Sequence, residues 1–188
     1  MPKVLLLKTR RFGDNRGWFA ETYSMARFSA LGIDDIFVQD NHSFSAAKGT
    51  LRGLHFQTPP HGQAKLVRCT RGRILDVAVD VRRGSPTYGK WVSAELTAQN
   101  GDQLFVPVGF AHAFLTLEPD CEVVYKVTGL YAPANDGGIR WNDPDVGIAW
   151  PLPPGDVTLS DKDAALPLLK DFDSPFAYDG VPLTLETA

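Results

Sequence analysis

The stretch 73-RILDVAVDV-81 decides how the chain is read. Leu75, Val77, Val79 and Val81 share one parity and Ile74, Asp76, Ala78 and Asp80 the other, the period of two that marks a β-strand. One face is wholly aliphatic, whereas the other sets two acids among apolar side chains. Either those acids face solvent at a turn, or they point into a polar lumen, where Asp76 needs a histidine or lysine to offset its desolvation.

Outward from this strand the same texture continues. Runs rich in Val, Phe, Leu and Thr, punctuated by Gly, Pro, Asn and Asp, predict strands over 18–23, 36–42, 50–56, 65–70, 73–81, 91–96, 103–106, 111–117 and 122–127. Strand–helix alternation is absent, so the pattern predicts an all-β antiparallel sandwich or barrel. One helix is expected in 24-SMARFSALG-32: Ser24 caps it, Phe28 and Leu31 share a face that covers a sheet edge, and Gly32 ends it. Beyond Gly129, 131-YAPANDGGIRWNDPDVGIAWPLPPGD-156 is broken by proline and glycine and predicts loops draped over the sheets. No internal repeat is present. The 188 residues are read as a single domain with one core.

Composition excludes several classes. Nineteen Lys and Arg against 22 Asp and Glu, a formal charge of −3, supply no general basic surface for nucleic acid. Near the start only four apolar residues in a row, Val4 to Leu7, precede Lys8, too few for a leader or a membrane span, so the reading is soluble and cytoplasmic. Cys69 and Cys121 lie in apolar runs without CxxC spacing and are expected as buried thiols, neither disulfide nor zinc ligands.

The chemistry-bearing residues gather in 49-GTLRGLHFQ-57 and its surroundings. Of four histidines, none has the H-x-H spacing that puts two imidazoles on one strand face; Gln57 stands two residues beyond His55, and the Thr58-Pro59-Pro60 turn separates His55 from His61. No catalytic metal is therefore expected. His55 can be a general base or a structural histidine; Arg52 can clamp an anion; Lys65 can face a developing negative oxygen. Arg52 and His55 have opposite parity, so a regular strand points them apart and only a bulge at Gly53 brings them together. Tyr125, in 122-EVVYKV-127, is either a core tyrosine with its hydroxyl at the rim or a proton donor opposite a base. His112, in 106-VPVGFAHAF-114, is either packed or the second imidazole of a cavity. Phe19, Tyr131, Arg16 and Arg52 are of the types that stack on a nucleobase and bind a pyrophosphate. No P-loop, GxGxxG, GxSxG or EF-hand pattern occurs.

Taken in order, DNRGWFAE, FVQDNHSFS, GTLRGLHFQ, AKLVRC, GRILDVAVDVR, FVPVGFAHAF, VVYKVTGLYAP, IRWNDPDVGIAW and LSDKD closely resemble the dTDP-4-dehydrorhamnose 3,5-epimerase family, from about residue 3 to at least residue 170. The resemblance implies a cupin-type β-sandwich or jelly roll with short peripheral helices, a homodimer, no metal and no cofactor. It implies a dTDP-linked 4-keto-6-deoxyhexose as substrate. His55 falls on the family's catalytic histidine, Tyr125 on its tyrosine acid and Lys65 on the lysine beside the sugar ketone. Asp163, with Asp161 as the alternative, falls on the aspartate that orients the histidine. Arg16, Phe19, Glu21, Gln39, Asn41, Arg52 and Tyr131 fall on substrate-binding positions, Arg52 towards the pyrophosphate and Tyr131 towards the thymine. His112 and Asp76 form a supporting polar pair of the cavity. The implied reaction is proton abstraction and opposite-face return at C3 and C5 of the sugar. Epimerisation at C5 alone or of a modified sugar, and a non-catalytic carbohydrate-binding cupin, are the alternatives.

Overall fold

The computed structural model of the chain describes residues 3–188. The strands in chain order are β1 (Val4–Leu7), β2 (Phe12–Asp14), β3 (Gly17–Phe19), β4 (Gln39–Ser45), β5 (Leu51–Gln57), β6 (Lys65–Arg71), β7 (Arg73–Asp80), β8 (Trp91–Thr97), β9 (Gln103–Val106), β10 (Phe110–Thr116), β11 (Cys121–Val127), β12 (Asp136–Gly138) and β13 (Leu185–Thr187). Two short helices, α1 (Met25–Ser29) and α2 (Asp161–Ala164), lie outside the sheets. Six strands form one sheet, in the order β13-β1-β9-β6-β11-β4, and five form another, β12-β5-β10-β7-β8; β2 and β3 make a separate hairpin. Every pairing is antiparallel except β1 with β13. The all-β sandwich class read from the sequence is the class observed.

The alternation of β7 explains how the layers assemble. Ile74 and Ala78 point between the sheets, where they meet Phe110 and Phe114 of β10, Val67 and Cys69 of β6, and Leu104 and Val106 of β9. Val77, Val79 and Val81 point the other way, into a second cluster with Leu54, Phe56, Ala111 and Ala113. That outer face is covered by the C-terminal segment through Ile139, Val146, Leu169 and Phe176. Fully burying such a side chain is worth roughly 1.5–3 kcal/mol relative to leaving it exposed, so this irregular segment adds to the core. The same parity places Asp76 and Asp80 inward, each 0% exposed. Both acids are thus in the interior, and the solvent-facing alternative is discarded. Asp80 is satisfied by Arg82, Ser85 and Thr87, and Arg82 also reaches Asp179 at 2.7 Å.

Several sequence expectations need correction. The run 18–23 is a strand only to Phe19, because its sole partner is β2. The run 36–42 is displaced to β4, whose ladder with β11 starts at the Gln39–Val127 pair; Ile36 lies outside it and is exposed. β1, β12 and β13 are too short and polar-flanked to show a period, and the long-range partners that create them are invisible locally. In α1, Phe28 is buried but Leu31 is not; Gly32, at φ +82°, turns the chain so that Ile33 is buried in its place. Phe28 and Ile33 pack on Leu5, Leu7, Leu66 and Phe105, so the helix covers the outer face of the six-stranded sheet and not an edge. Both cysteines are free and buried, as read.

Candidate active site

β5 supplies His55. His55 pairs with His112 of β10 and Arg52 with Phe114, so β5 advances three residues where β10 advances two. The extra residue is taken up next to Gly53, at φ +128°, where an added Cβ would stand 2.5 Å from that of Ala113. The bulge cancels the parity difference, and Arg52 and His55 line the same cavity.

His55 is oriented from the C-terminal segment. Its Nε2 lies 2.7 Å from Oδ1 of Asp163, 108 residues away. Asp163, not Asp161, holds this position. Its Oδ2 accepts from the Gly53 N–H at 3.2 Å, and its own N–H donates to Oγ of the helix-capping Ser160 at 3.1 Å. Burial pushes the Asp163 carboxyl up, but the hydrogen bond and charge of His55, with the Gly53 and Ser160 contacts, hold it below the ordinary value. The carboxylate is therefore ionised, and its hydrogen bond fixes the orientation of the imidazole.

The opposite sheet supplies Lys65 and Tyr125. Lys65 opens β6, and its Nζ donates to the His55 carbonyl at 3.4 Å. Burial lowers its ammonium to about 8, a shift limited by the negative charges of Asp76 and Asp136. It remains protonated at neutral pH. Tyr125 of β11 lines the cavity; burial raises its phenol above the usual value and the Arg52 charge only partly offsets this, so the proton is retained. Behind them, His112 Nε2 lies 2.6 Å from Asp76 Oδ1. Burial lowers the His112 imidazole against the attraction of Asp76, with Lys65 and His55 adding to the depression. Asp76 Oδ2 has no hydrogen-bond partner. Asp76 thus has the lumen partner that its position demanded.

The cavity has two lobes that meet at His55, Lys65, Tyr125 and Lys162. One, of about 460 Å³, also contains Arg52, His112 and Asp163. The other, of about 360 Å³, contains Gln39, Asn41, Gln57, Tyr131 and Asp136. Arg52 is anchored to the Phe44 carbonyl at 3.1 Å, Gln39 donates to Asn41 at 2.8 Å, and the Tyr131 hydroxyl donates to Asp136 at 3.2 Å. Lys162 pairs with Asp136. Sequence reasoning missed Lys162, Asp136, Gln57 and Ser160 as site residues; Lys162 sat unread inside LSDKD, Gln57 was read only as the missing second histidine of an H-x-H pair, and Asp136 and Ser160 carried no spacing signal. Arg16, Phe19 and Glu21 are not brought to either lobe within one chain. Arg16 pairs with Asp14, Phe19 is 69% exposed, and Glu21 pairs with Arg27. Among the described residues no three His, Cys, Asp or Glu side chains converge as a metal site.

The sequence profile of the family described as dTDP-4-dehydrorhamnose 3,5-epimerase matches residues 1–171. The enzyme of that name from Sinorhizobium fredii is 53% identical over 176 residues, covering 94% of this chain and 90% of its own. The crystal structure of the Bacillus anthracis dTDP-4-dehydrorhamnose 3,5-epimerase with TDP and PPi bound superposes with a TM-score of 0.84 at 49% identity, over 87% of this chain and 92% of that one. The Legionella pneumophila dTDP-6-deoxy-D-glucose-3,5-epimerase, in complex with dTDP-4-keto-L-rhamnose, gives 0.84 at 46% identity over 88% and 87%. Fold and relatives together define a cupin-type β-sandwich isomerase, with titratable groups converging on one cavity from two sheets. The chain belongs to the dTDP-4-dehydrorhamnose 3,5-epimerase family.

Proposed function

We propose that the chain epimerises dTDP-4-dehydro-6-deoxy-D-glucose at C3 and C5, yielding dTDP-4-dehydro-L-rhamnose. The observation that carries this is the origin of the two proton-transfer groups: His55 comes from the five-stranded sheet and Tyr125 from the six-stranded one, and both line the same cavity. Inversion at a carbon needs a base and an acid on opposite faces, because a single group would tend to return its proton where it took it.

The C4 ketone acidifies the C–H bonds at C3 and C5, since either carbanion is an enolate. On this reading His55 takes the proton, its new charge favoured by Asp163, while the electron pair moves to the C4 oxygen beside the Lys65 ammonium. Tyr125 then gives its proton to the other face, and exchange with solvent resets both groups. The same sequence at the second carbon completes the reaction. No oxidation state changes, so these side chains suffice without a cofactor. Arg52 and Lys162 meet the negatively charged diphosphate, Tyr131 stacks on the thymine with Gln39 and Asn41 beside it, and the His112–Asp76 pair backs the sugar site.

Homodimerisation belongs to the same proposal. Phe12, Trp18, Phe19, Ile36, Val38 and Phe44 are exposed on the β2–β3 hairpin and around edge strand β4, as large apolar side chains awaiting cover. A second copy seated there accounts for Arg16, Phe19 and Glu21 as substrate-binding residues that their own chain does not use. The whole chain, with its segment from about residue 129, acts as one domain, and its location is cytoplasmic; among the described residues no helix is long and apolar enough to cross a membrane.

The test follows the dTDP-linked 4-keto-6-deoxyglucose in deuterated water by NMR. Deuterium entry and inversion at both C3 and C5 supports the proposal. Inversion at C5 alone selects the restricted epimerase, and binding without exchange selects a carbohydrate-binding cupin.

A further inference from the structure

We propose that Gln57 is a positioning residue that sets where the Tyr131 ring stands, and through it how tightly the nucleotide end of the substrate is held. This rests on the reading of Tyr131 as the nucleobase platform. Gln57 follows His55 by two residues on β5, so it faces the same cavity about 7 Å further along the strand. It is 3% exposed, and its amide is engaged at both ends. Nε2 donates to the Leu130 carbonyl at 3.2 Å and to the His61 carbonyl at 2.9 Å, while Oε1 accepts from the Ala132 N–H at 2.7 Å. One buried side chain thereby grips the peptides on both sides of Tyr131 and ties them to the strand that carries the base.

The ring itself has little else to hold it. Tyr131 is 57% exposed, and among the described residues no aromatic side chain pairs with it. Its remaining contacts are its N–H to Gln39 Oε1 at 3.4 Å and its hydroxyl to Asp136. A platform whose faces stay open for a ligand cannot be oriented by packing, so its backbone must be, and a buried amide with three hydrogen bonds does this at low entropic cost on binding. Gln57 touches no reacting atom on this view. Its effect appears in affinity and not in proton transfer.

The experiment compares wild type with Gln57→Leu, Tyr131→Ala and the double variant, measuring kcat and KM for the dTDP-linked 4-keto sugar. In a parallel preparation, 3-fluorotyrosine is incorporated and the five tyrosines are followed by fluorine NMR without substrate, with Tyr131→Phe assigning the Tyr131 signal. The expectation for Gln57→Leu is a KM raised about tenfold with kcat within about twofold, and a double variant no weaker than Tyr131→Ala alone. The Tyr131 resonance should move while that of Tyr125 stays. A loss confined to kcat, additive effects in the double variant, or an unmoved Tyr131 resonance would overturn the proposal. Should Gln57→Leu fail to fold, Gln57→Glu keeps the acceptor for Ala132 but removes the donors to His61 and Leu130, and it carries the same expectations. If the wild type does not turn over this sugar nucleotide, the functional reading fails, and the fluorine signal alone still decides whether Gln57 positions Tyr131.

Discussion

Two histidine–aspartate pairs lie in one cavity at nearly equal distances, 2.7 Å for His55–Asp163 and 2.6 Å for His112–Asp76. Their surroundings separate them. The His55 side chain is 28% exposed and its aspartate is fully employed, taking a backbone N–H on the second oxygen. The His112 side chain is only 8% exposed, beside a lysine, and its aspartate leaves one oxygen without a partner. The first pair faces the cavity with both oxygens of its aspartate engaged. In the second, burial and the neighbouring cations disfavour protonation of the imidazole, so His112 stays neutral at physiological pH. Equal distances therefore sit in unequal surroundings: burial holds His112 neutral, whereas His55 is open to the cavity.

The sharpest way to break this comparison is to delete each imidazole in turn. His55→Asn is expected to lower kcat by about 10³-fold or more, whereas His112→Asn should lower it only about tenfold, each read by single-turnover deuterium exchange at C5. Equal losses would abolish the distinction between the pairs. Tyr125→Phe tests the opposite face. It should cost about 10²-fold in inversion while C–H exchange with solvent, performed by His55 alone, persists above the inversion rate. Asp163→Asn should cost about 10- to 100-fold, as expected for a group that orients the reacting one, and Asp76→Asn should cost less.

A smaller effect lies in the pH profile. Lys65 has a folded pKa of about 8, so its positive charge is lost as pH rises through that value, and on the proposed mechanism the stabilisation of the enolate is lost with it. We expect kcat/KM to fall above pH 8, approaching tenfold per pH unit. Removing the Asp76 charge takes away a support of the ammonium, so Asp76→Asn should move this limb to lower pH.

The smallest effects are on stability, with the two pairs contributing in different windows. The folded pKa of His112 is depressed, so below about 6.5 the unfolded chain binds a proton that the folded chain does not, and stability falls with pH. That of Asp163 is also depressed, so its stabilisation is complete above its unfolded value, about 3.9, and is lost as pH drops through the folded value. Urea midpoints should therefore decline less between pH 7 and pH 5 in His112→Asn than in wild type. The extra decline below pH 4 should shrink in Asp163→Asn.

Strand content was legible wherever a long period-two run met a neighbour of similar length. β7 and β11 are such cases, and so is β10, where the expected 111–117 is observed as Phe110–Thr116. Strands were illegible where pairing creates them: β13 is defined by β1, through Val4 opposite Leu185, and β1 lies between β13 and β9. Within the site, residue types were legible but arrangements were not. Strand parity correctly flagged Arg52 and His55 as a problem, and only Gly53 in its positive-φ bulge resolves it. Parity also put Asp76 and Asp80 on one face without saying which side of the sheet that face was.

By itself the sequence determined the all-β class, the strand faces, the shortage of metal-ligand spacings and the candidate residues, because these follow from side-chain type and from a backbone period acting over a few neighbours. The tertiary structure alone decided which face of β7 was the lumen, that a segment 108 residues downstream orients His55, and that His55 and Tyr125 come from different sheets. Those outcomes depend on desolvation and on hydrogen bonds between distant segments. Neither exists until the chain has closed on itself.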